Sequence, residues 1–232
     1  MRILFVGVGF VATVAAESLA ARGHDVFGLR RSERPLPASI RACRGDVSTG
    51  DGFDALPDDF DRIVYAVSPG ERTESAYDAA YPRGVERVLE RWPGARLVLV
   101  SSTAVYGRAS AEVVDESTLP EPSDAPSRKL LEAEKLADSA GSILLRASGI
   151  YGPGRTRLLR RLVHDAPSDD ERVVVTNRIH RDDLARALEF FVERELTGTF
   201  VASDEHPASL GEMTDWIRSQ TLPPSWLEKP NE

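Results

Sequence analysis

Residues 2–12 read Arg2-Ile3-Leu4-Phe5-Val6-Gly7-Val8-Gly9-Phe10-Val11-Ala12, and three kinds of local structure succeed one another there without a break. The apolar run up to Val6, bounded by glycine, has the form of a strand buried on both faces of a parallel sheet. The chain then turns through Gly7-Val8-Gly9. From Val11 onward the apolar side chains recur at Val11, Val14, Ala15 and Leu19, a helical spacing that leaves Thr13 and Glu17 on the other side. The first glycine of such a crossover makes the tight turn, and the second lets backbone amides approach a pyrophosphate. The small third residue, Ala12, lets the helix lie close on the strand. The N–H groups at the helix opening, near Phe10 and Val11, turn a positive dipole toward an anion. Gly7, Gly9, Phe10 and Val11 are therefore expected to hold a dinucleotide. The plainer alternative is a strand-to-helix turn that serves no ligand.

An apolar N-terminus with small residues at Ala20 and Ala21 also has the outline of a secretory leader. Glu17 and the amphipathic spacing argue against it. So do Gly23, which suits a helix C-terminus, and the strand after it, which needs the first strand as its neighbour. The segment is read as mature structure.

At 232 residues and 41% hydrophobic content, the chain can hold one large α/β domain with a small appended lobe. Repeats, low-complexity tracts and apolar runs of membrane-spanning length are absent from the sequence. The single cysteine, Cys43, excludes an internal disulfide and is expected as a small buried side chain, with the cytoplasm as the default compartment. A net charge of −8 without a basic stripe argues against nucleic acid as a partner. His24, His164, His180 and His206 show no metal-ligand spacing, so no metal is expected.

A second strand is predicted from Asp25 to Leu29, with Arg30-Arg31-Ser32 directly after it. About 20 residues past the glycine turn, NAD-preferring sites place an acid on the ribose 2′-hydroxyl. Two guanidinium groups stand here instead, suited to a 2′-phosphate through planar, charge-assisted bonds. NADP is expected over NAD. A third strand, residues 41–47, ends in Gly45-Asp46-Val47, where Asp46 can accept from an adenine amino group or cap the segment near Thr49. The fourth strand carries small residues at its end, Ala66, Val67 and Ser68, as a nucleotide crossing the sheet edge requires, and stops at Pro69-Gly70.

Residues 74–92 have a helical pattern interrupted by Pro82 and Gly84, which predicts a kink or a late helix start. The fifth strand, residues 96–100, leads into Ser101-Ser102-Thr103-Ala104-Val105-Tyr106-Gly107. Ligands of open α/β sheets bind beyond the carboxyl ends of strands, so this hydroxyl cluster is well placed for chemistry. Residues 108–126 read as a long surface loop, and Ser127 as the cap of a helix through Leu130, Leu131 and Leu136. A sixth strand at 142–146, short strands at 173–176 and 199–202, and helices at about 181–195 and 210–219 complete the chain. The tail 223–232 is polar and expected to fray.

Four stretches in register, the Gly7/Gly9/Ala12 turn, Ser102 with Val105-Tyr106-Gly107, Ile150-Tyr151-Gly152-Pro153-Gly154, and Ile179-His180-Arg181-Asp182-Asp183-Leu184-Ala185, resemble the NAD(P)-dependent epimerase/dehydratase family, the extended short-chain dehydrogenases. The resemblance covers nearly the whole chain. It implies a doubly wound Rossmann domain over 1–222, with a seven-stranded parallel sheet and a small C-terminal substrate lobe drawn from about 152–172 and 203–222. It further implies that Ser102 bonds the substrate hydroxyl or carbonyl and that Ala66, Val67, Ser68 and Pro153 line the cofactor. His180 and Asp183 would tie the last helix to the sheet, and homodimers through helix faces are usual. One departure stands out. The family's Tyr-x-x-x-Lys pair, registered by Glu134, falls on Pro126 and Leu130, with Lys129 one residue off.

Two functions are open on these residues. One is an NADP-dependent oxidoreductase or epimerase acting on a small hydroxyl or carbonyl compound or a nucleotide sugar, with Ser102 polarising the oxygen and Tyr106 donating a proton. The other is an NADP-binding sensor or scaffold without turnover. The missing pair favours the second, and the retained Ser102 favours the first.

Overall fold

The computed structural model describes residues 1–107, 113–165 and 167–221. In chain order its elements are β1 (Arg2–Val6), α1 (Ala12–Ala21), β2 (Asp25–Arg30), β3 (Arg41–Arg44), β4 (Arg62–Tyr65), α2 (Glu74–Ala80), α3 (Pro82–Arg91), β5 (Arg96–Ser102), α4 (Ala125–Ser139) and β6 (Ile143–Ala147). Then come β7 (Gly149–Tyr151), α5 (Arg157–His164), α6 (Asp169–Arg172), β8 (Val175–Thr176), β9 (Arg178–His180), α7 (Arg181–Val192), β10 (Gly198–Ala202), β11 (Ala208–Ser209) and α8 (Leu210–Ser219). The chain divides into two compact units, one of residues 1–147 and 182–202, the other of 148–181 and 203–232.

In the first unit seven parallel strands run in the order β10-β6-β5-β4-β1-β2-β3, the doubly wound Rossmann arrangement. Strand order reverses between β1 and β4, the topological switch point where open α/β sheets take their ligands. β1 is buried on both faces because successive side chains point opposite ways. Leu4 and Val6 join a core cluster with Ile63, Tyr65, Leu97 and Leu99, covered by Val85 and Val88 of α3 and by Leu130, Ala133 and Ala137 of α4. Ile3 and Phe5 are equally buried but lie outside that cluster, on the face covered by α1 and α7. Those two helices meet where Arg22 reaches Glu189 at 2.6 Å and Glu193 at 2.8 Å. Toward β3 the core is aromatic: Phe60 meets Phe27 and Trp92 edge-on at 5.3 and 5.7 Å, each such pair adding about 0.5–1.5 kcal/mol beyond burial.

The expected interruption near Pro82 is a complete break. α2 ends at Ala80 and α3 begins at Pro82, because the proline has no N–H to give the carbonyl one turn back. Tyr65 of β4 donates its hydroxyl to the Ala80 carbonyl at that break. Gly84 is required beside it, since a Cβ there would collide with the same hydroxyl. Other expectations need correction. β3 stops at Arg44, and Asp46 pairs instead with Asp51 in an isolated antiparallel bridge. The helix after the long loop is capped by Asp124, which accepts from the Ser127 amide at 2.8 Å, so Ser127 lies inside the helix. Cys43 is half-buried on an edge strand, where burial still pushes its thiol pKa up. Residues 108–112 of the predicted loop and the tail 223–232 lie outside the described residues.

In the second unit β7 pairs with β9 in parallel, with Tyr151 opposite His180, and β8 pairs with β11 antiparallel. Val173 precedes β8 instead of belonging to it. The helices α5 and α6, which sequence reading passed over, pack against α8. Capping boxes at Ser168/Glu171 and Ser209/Glu212 start α6 and α8, satisfying amides that a helix start leaves orphaned.

Candidate functional site

At the carboxyl edge of the first unit's sheet lies a crevice of about 330 Å³, and the β1–α1 crossover forms its floor. Two independent constraints make Gly7 obligatory. Its φ is +89°, and a Cβ would sit 2.7 Å from the Ala66 carbonyl oxygen and 2.9 Å from Val67 Cα. Gly9 is different in kind: a Cβ there would meet nothing within 4 Å, so the residue keeps space open in front of the backbone. Val11, at the N-cap of α1, provides no side-chain cap, which leaves the helix opening without an internal side-chain acceptor. Val11 and Phe10 stand beside the crevice and do not line it. The remaining wall comes from Val47, Ala66, Val67, Ser68 and, from α2, Ala76, Ala79 and Ala80.

Arg30, Arg31 and Asp46 supply the charge. The Arg30 side chain lines the crevice, has no hydrogen bond or ion pair among the described residues, and carries a buried Nε without a partner. Arg31 Nη1 lies 3.8 Å from Asp46 Oδ2. Asp46 Oδ1 accepts from the amide and hydroxyl of Ser48 at 2.8 and 2.7 Å, so the turn-capping role left open by the sequence is realised. A glycine held against backbone, a glycine facing open space, an uncapped helix start and an orphaned guanidinium nitrogen together fit a bound phosphorylated dinucleotide.

Ser102 ends β5 and accepts from the Ala104 amide at 3.1 Å, while its own O–H has no acceptor among the described residues. It can therefore donate to a ligand oxygen. Tyr106 cannot serve in the same way. It is 2% exposed, donates its hydroxyl to the Asp115 carbonyl at 2.6 Å and accepts from Arg146 Nη1 at 2.9 Å, so the expected proton-donor role does not fit its surroundings. Arg146 in turn grips Glu134 through Nε, at 3.1 and 3.2 Å, and through Nη2 at 2.7 Å, and Ser101 donates to the same carboxylate. Burial works against the Arg146 charge, but the bonds to Glu134 and Tyr106 outweigh it and hold the guanidinium pKa up. Two buried charges persist only when hydrogen-bonded this completely.

That cluster fixes the register of α4. Glu134 is 1% exposed and ties the helix to β5 and β6, which pins Pro126 in the first turn and buries Leu130 in the core. Pro126 and Leu130, the positions on which the Tyr-x-x-x-Lys pair was expected to fall, are thus held in place on α4 by that anchor. Lys129 is no substitute, because its ammonium is committed to Glu132 at 2.9 Å and to Asp78 of α2 at 3.1 Å. At the helix start, Arg72 from the loop after β4 meets the cap residue Asp124 at 2.7 Å.

Other predicted residues lie elsewhere. Pro153 sits in the turn after β7 in the second unit and is not among the residues that line this crevice. His180 meets the Tyr151 ring edge-on at 5.2 Å. Asp183 pairs with Arg186 on its own helix at 2.7 Å, so the expected tie to the sheet is not made through that ion pair. Sequence reading overlooked Tyr77 of α2 and Tyr81 at the break between α2 and α3, although their spacing of four was visible. Tyr81 donates to the Val67 carbonyl at 3.1 Å, and burial, then the neighbouring Tyr77, pushes its pKa up. Among the described residues no helix is long and apolar enough to cross a membrane.

A doubly wound parallel sheet with this glycine crossover at its switch point defines a Rossmann-type dinucleotide-binding fold. The NAD dependent epimerase/dehydratase family profile matches residues 3–201. The chain belongs to that family. A Methylobacillus flagellatus chain given the same epimerase/dehydratase description is 33% identical and superposes with a TM-score of 0.81, over 96% of this chain and 83% of that one. The 3-diazoavenalumate denitrifying reductase of a Streptomyces species is 27% identical over 97% of this chain and 83% of its own length. MoeE5, solved in complex with UDP-glucose and NAD, is 26% identical with a TM-score of 0.75, over 94% and 81%.

Proposed function

We propose that this protein is an NADP-dependent oxidoreductase or epimerase-like enzyme acting on a small hydroxyl or carbonyl compound or a nucleotide sugar. The observation that carries the reading is the crevice itself, with Gly7 closed against backbone, Gly9 open, and the unpartnered Arg30 beside Arg31 where an acid would select NAD. Bound there, a nicotinamide dinucleotide would supply or accept the hydride. The backbone around Gly7 and Gly9 would hold its pyrophosphate, Arg30 and Arg31 its 2′-phosphate, and Ser102 would orient the reacting oxygen. The reductase among the relatives and the UDP-glucose and NAD complex of MoeE5 support the reaction and substrate classes. Cys43, unpaired in this chain, suits the reducing cytoplasm, and a homodimer through helix faces is part of the proposal.

A second reading has its own support. With Pro126 and Leu130 where the family's acid/base pair stands, the protein would bind NADP and sense its level without turnover. One experiment separates the two: the purified protein is denatured, any released nucleotide is identified, and NADPH oxidation is measured against aldehydes, ketones and nucleotide sugars. Released NADP with turnover on the panel supports the enzyme, and released NADP without turnover supports the sensor. A protein that neither carries nor binds nucleotide sinks both.

A further inference from the structure

The small ladder of β7 and β9 in the second unit has two unlike faces. Register sets Gly149 opposite Arg178, Ile150 opposite Ile179 and Tyr151 opposite His180, and successive side chains point to opposite faces. Ile150 and Ile179 therefore share one face, where Ile179 is buried. Gly149, Tyr151, Arg178 and His180 share the other. Two distances agree with this: a Cβ on Gly149 would lie 3.6 Å from Arg178 Cγ, and the Tyr151 and His180 rings meet edge-on at 5.2 Å. Because Gly149 has no side chain, the Arg178 stem can lean over β7. The guanidinium then shares its face with an aromatic pair whose Tyr151 is 41% exposed.

Arg178 is half-buried and short of partners. Its one hydrogen bond runs from Nη1 to the Thr176 carbonyl at 3.5 Å, beyond the usual range for such a bond, and no carboxylate pairs with it among the described residues. Asp204 gives its amide to the Arg178 carbonyl at 2.7 Å, but its carboxylate accepts from the His206 amide at 3.3 Å instead. Arg146 of the first unit shows the contrast. Burial opposes both charges, yet the bonds to Glu134 hold the Arg146 pKa up, whereas at Arg178 burial outweighs the pull of Asp204 and Tyr151 and the pKa falls. A guanidinium drawn partly out of water without its anion is stabilised by an anion that reaches it.

We propose that this face is a binding site for a carboxylate carried on a flat, conjugated or aromatic body, with the Arg178 fork on the carboxylate and the Tyr151 ring against the body. The groups present set that chemistry. A guanidinium meets a carboxylate through two parallel N–H···O bonds. A monoanion suits the single fork better than a phosphate dianion, which the neighbouring Asp204 charge would repel further. The exposed phenol ring offers an apolar surface to a second flat system. The site is built from residues of the second unit alone, so it stands whether the protein turns over or only senses NADP.

Three probes titrated into the full-length protein by calorimetry test it: benzoate, benzamide, which keeps the shape without the charge, and acetate, which keeps the charge without the ring. Wild-type protein should bind benzoate about 10-fold more tightly than benzamide, and more tightly than acetate. Arg178→Met should lose about 10- to 100-fold in benzoate affinity and leave benzamide unchanged. Tyr151→Ala should bring benzoate down to the level of acetate. Arg178→Lys, which keeps the charge but not the fork, should fall between wild type and Met, and it carries the test if the Met variant does not fold. Wild type that binds benzoate no better than benzamide, or benzoate affinity unmoved in the Arg178 variants, overturns the assignment. The nucleotide assay above is independent of this readout. Protein that binds benzoate through Arg178 but no nucleotide sinks both readings of the crevice and keeps this site, whereas protein that binds NADPH and shows no preference for the charged probe loses this site alone.

Discussion

The β1–α1 crossover and the first turn of α4 face the same chemistry and have been treated differently. At the crossover the requirement falls on backbone: Gly7 has the Ala66 carbonyl 2.7 Å from where a Cβ would be, and no other side chain meets that condition. At α4 the anchoring falls on side chains: Glu134 is buried in the helix, with Leu130 in the core one turn before it and Pro126 in the first turn. Binding geometry built from main chain is fixed by the fold, whereas an anchor built from side chains depends on each partner being present.

The comparison breaks most sharply in the anchor. Arg146→Met leaves the Glu134 carboxylate buried without its cation and should cost about 3–5 kcal/mol in urea unfolding. A loss under about 1 kcal/mol would mean that α4 is not pinned by that pair, and its register would have to be reconsidered. Gly7→Ala should cost on the order of 3 kcal/mol, since strain at positive φ adds to the clash with Ala66 and Val67. Gly9→Ala, with nothing near its Cβ, should change stability by no more than about 0.5 kcal/mol while weakening nucleotide binding. If both variants lose only stability, the open space before Gly9 holds no phosphate.

Arg30→Ala sharpens the electrostatic side. It should weaken NADPH about 10- to 100-fold, matching about 1.5–3 kcal/mol for a charge-assisted bond, and leave NADH unchanged by titration. Unaltered NADPH affinity removes the 2′-phosphate assignment. The smallest effect is expected at Asp124, whose carboxyl the hydroxyl and amide of Ser127, then Arg72, hold down at about 2. A depressed folded pKa contributes stability above the ordinary value of 3.8 and loses it as pH falls from there toward 2. Because the group is largely exposed, the loss should stay below about 1 kcal/mol, and Asp124→Asn, which still caps the helix, should flatten that part of the pH profile.

Legibility in the sequence divides along the same line. The crossover and the interruption at Pro82 were readable because glycine and proline act through backbone, where one residue decides the outcome. Tyr106 was misjudged because its partners, Asp115 and Arg146, lie 9 and 40 residues away and only the fold brings them together. Asp124 was missed as the cap because Ser127 is an equally good cap residue three positions on.

The hydroxyl wedged between the halves of the interrupted helix has one more consequence. Tyr65 bolts the end of α2 to the central strand from below, and Gly84 leaves room for it, so α2 and α3 are fastened separately. Amide deuteration should then proceed in two blocks divided at Pro82, with α2 loosening ahead of α3. The segment bearing Tyr77 would be free to tilt by small angles while the rest of the layer stayed still.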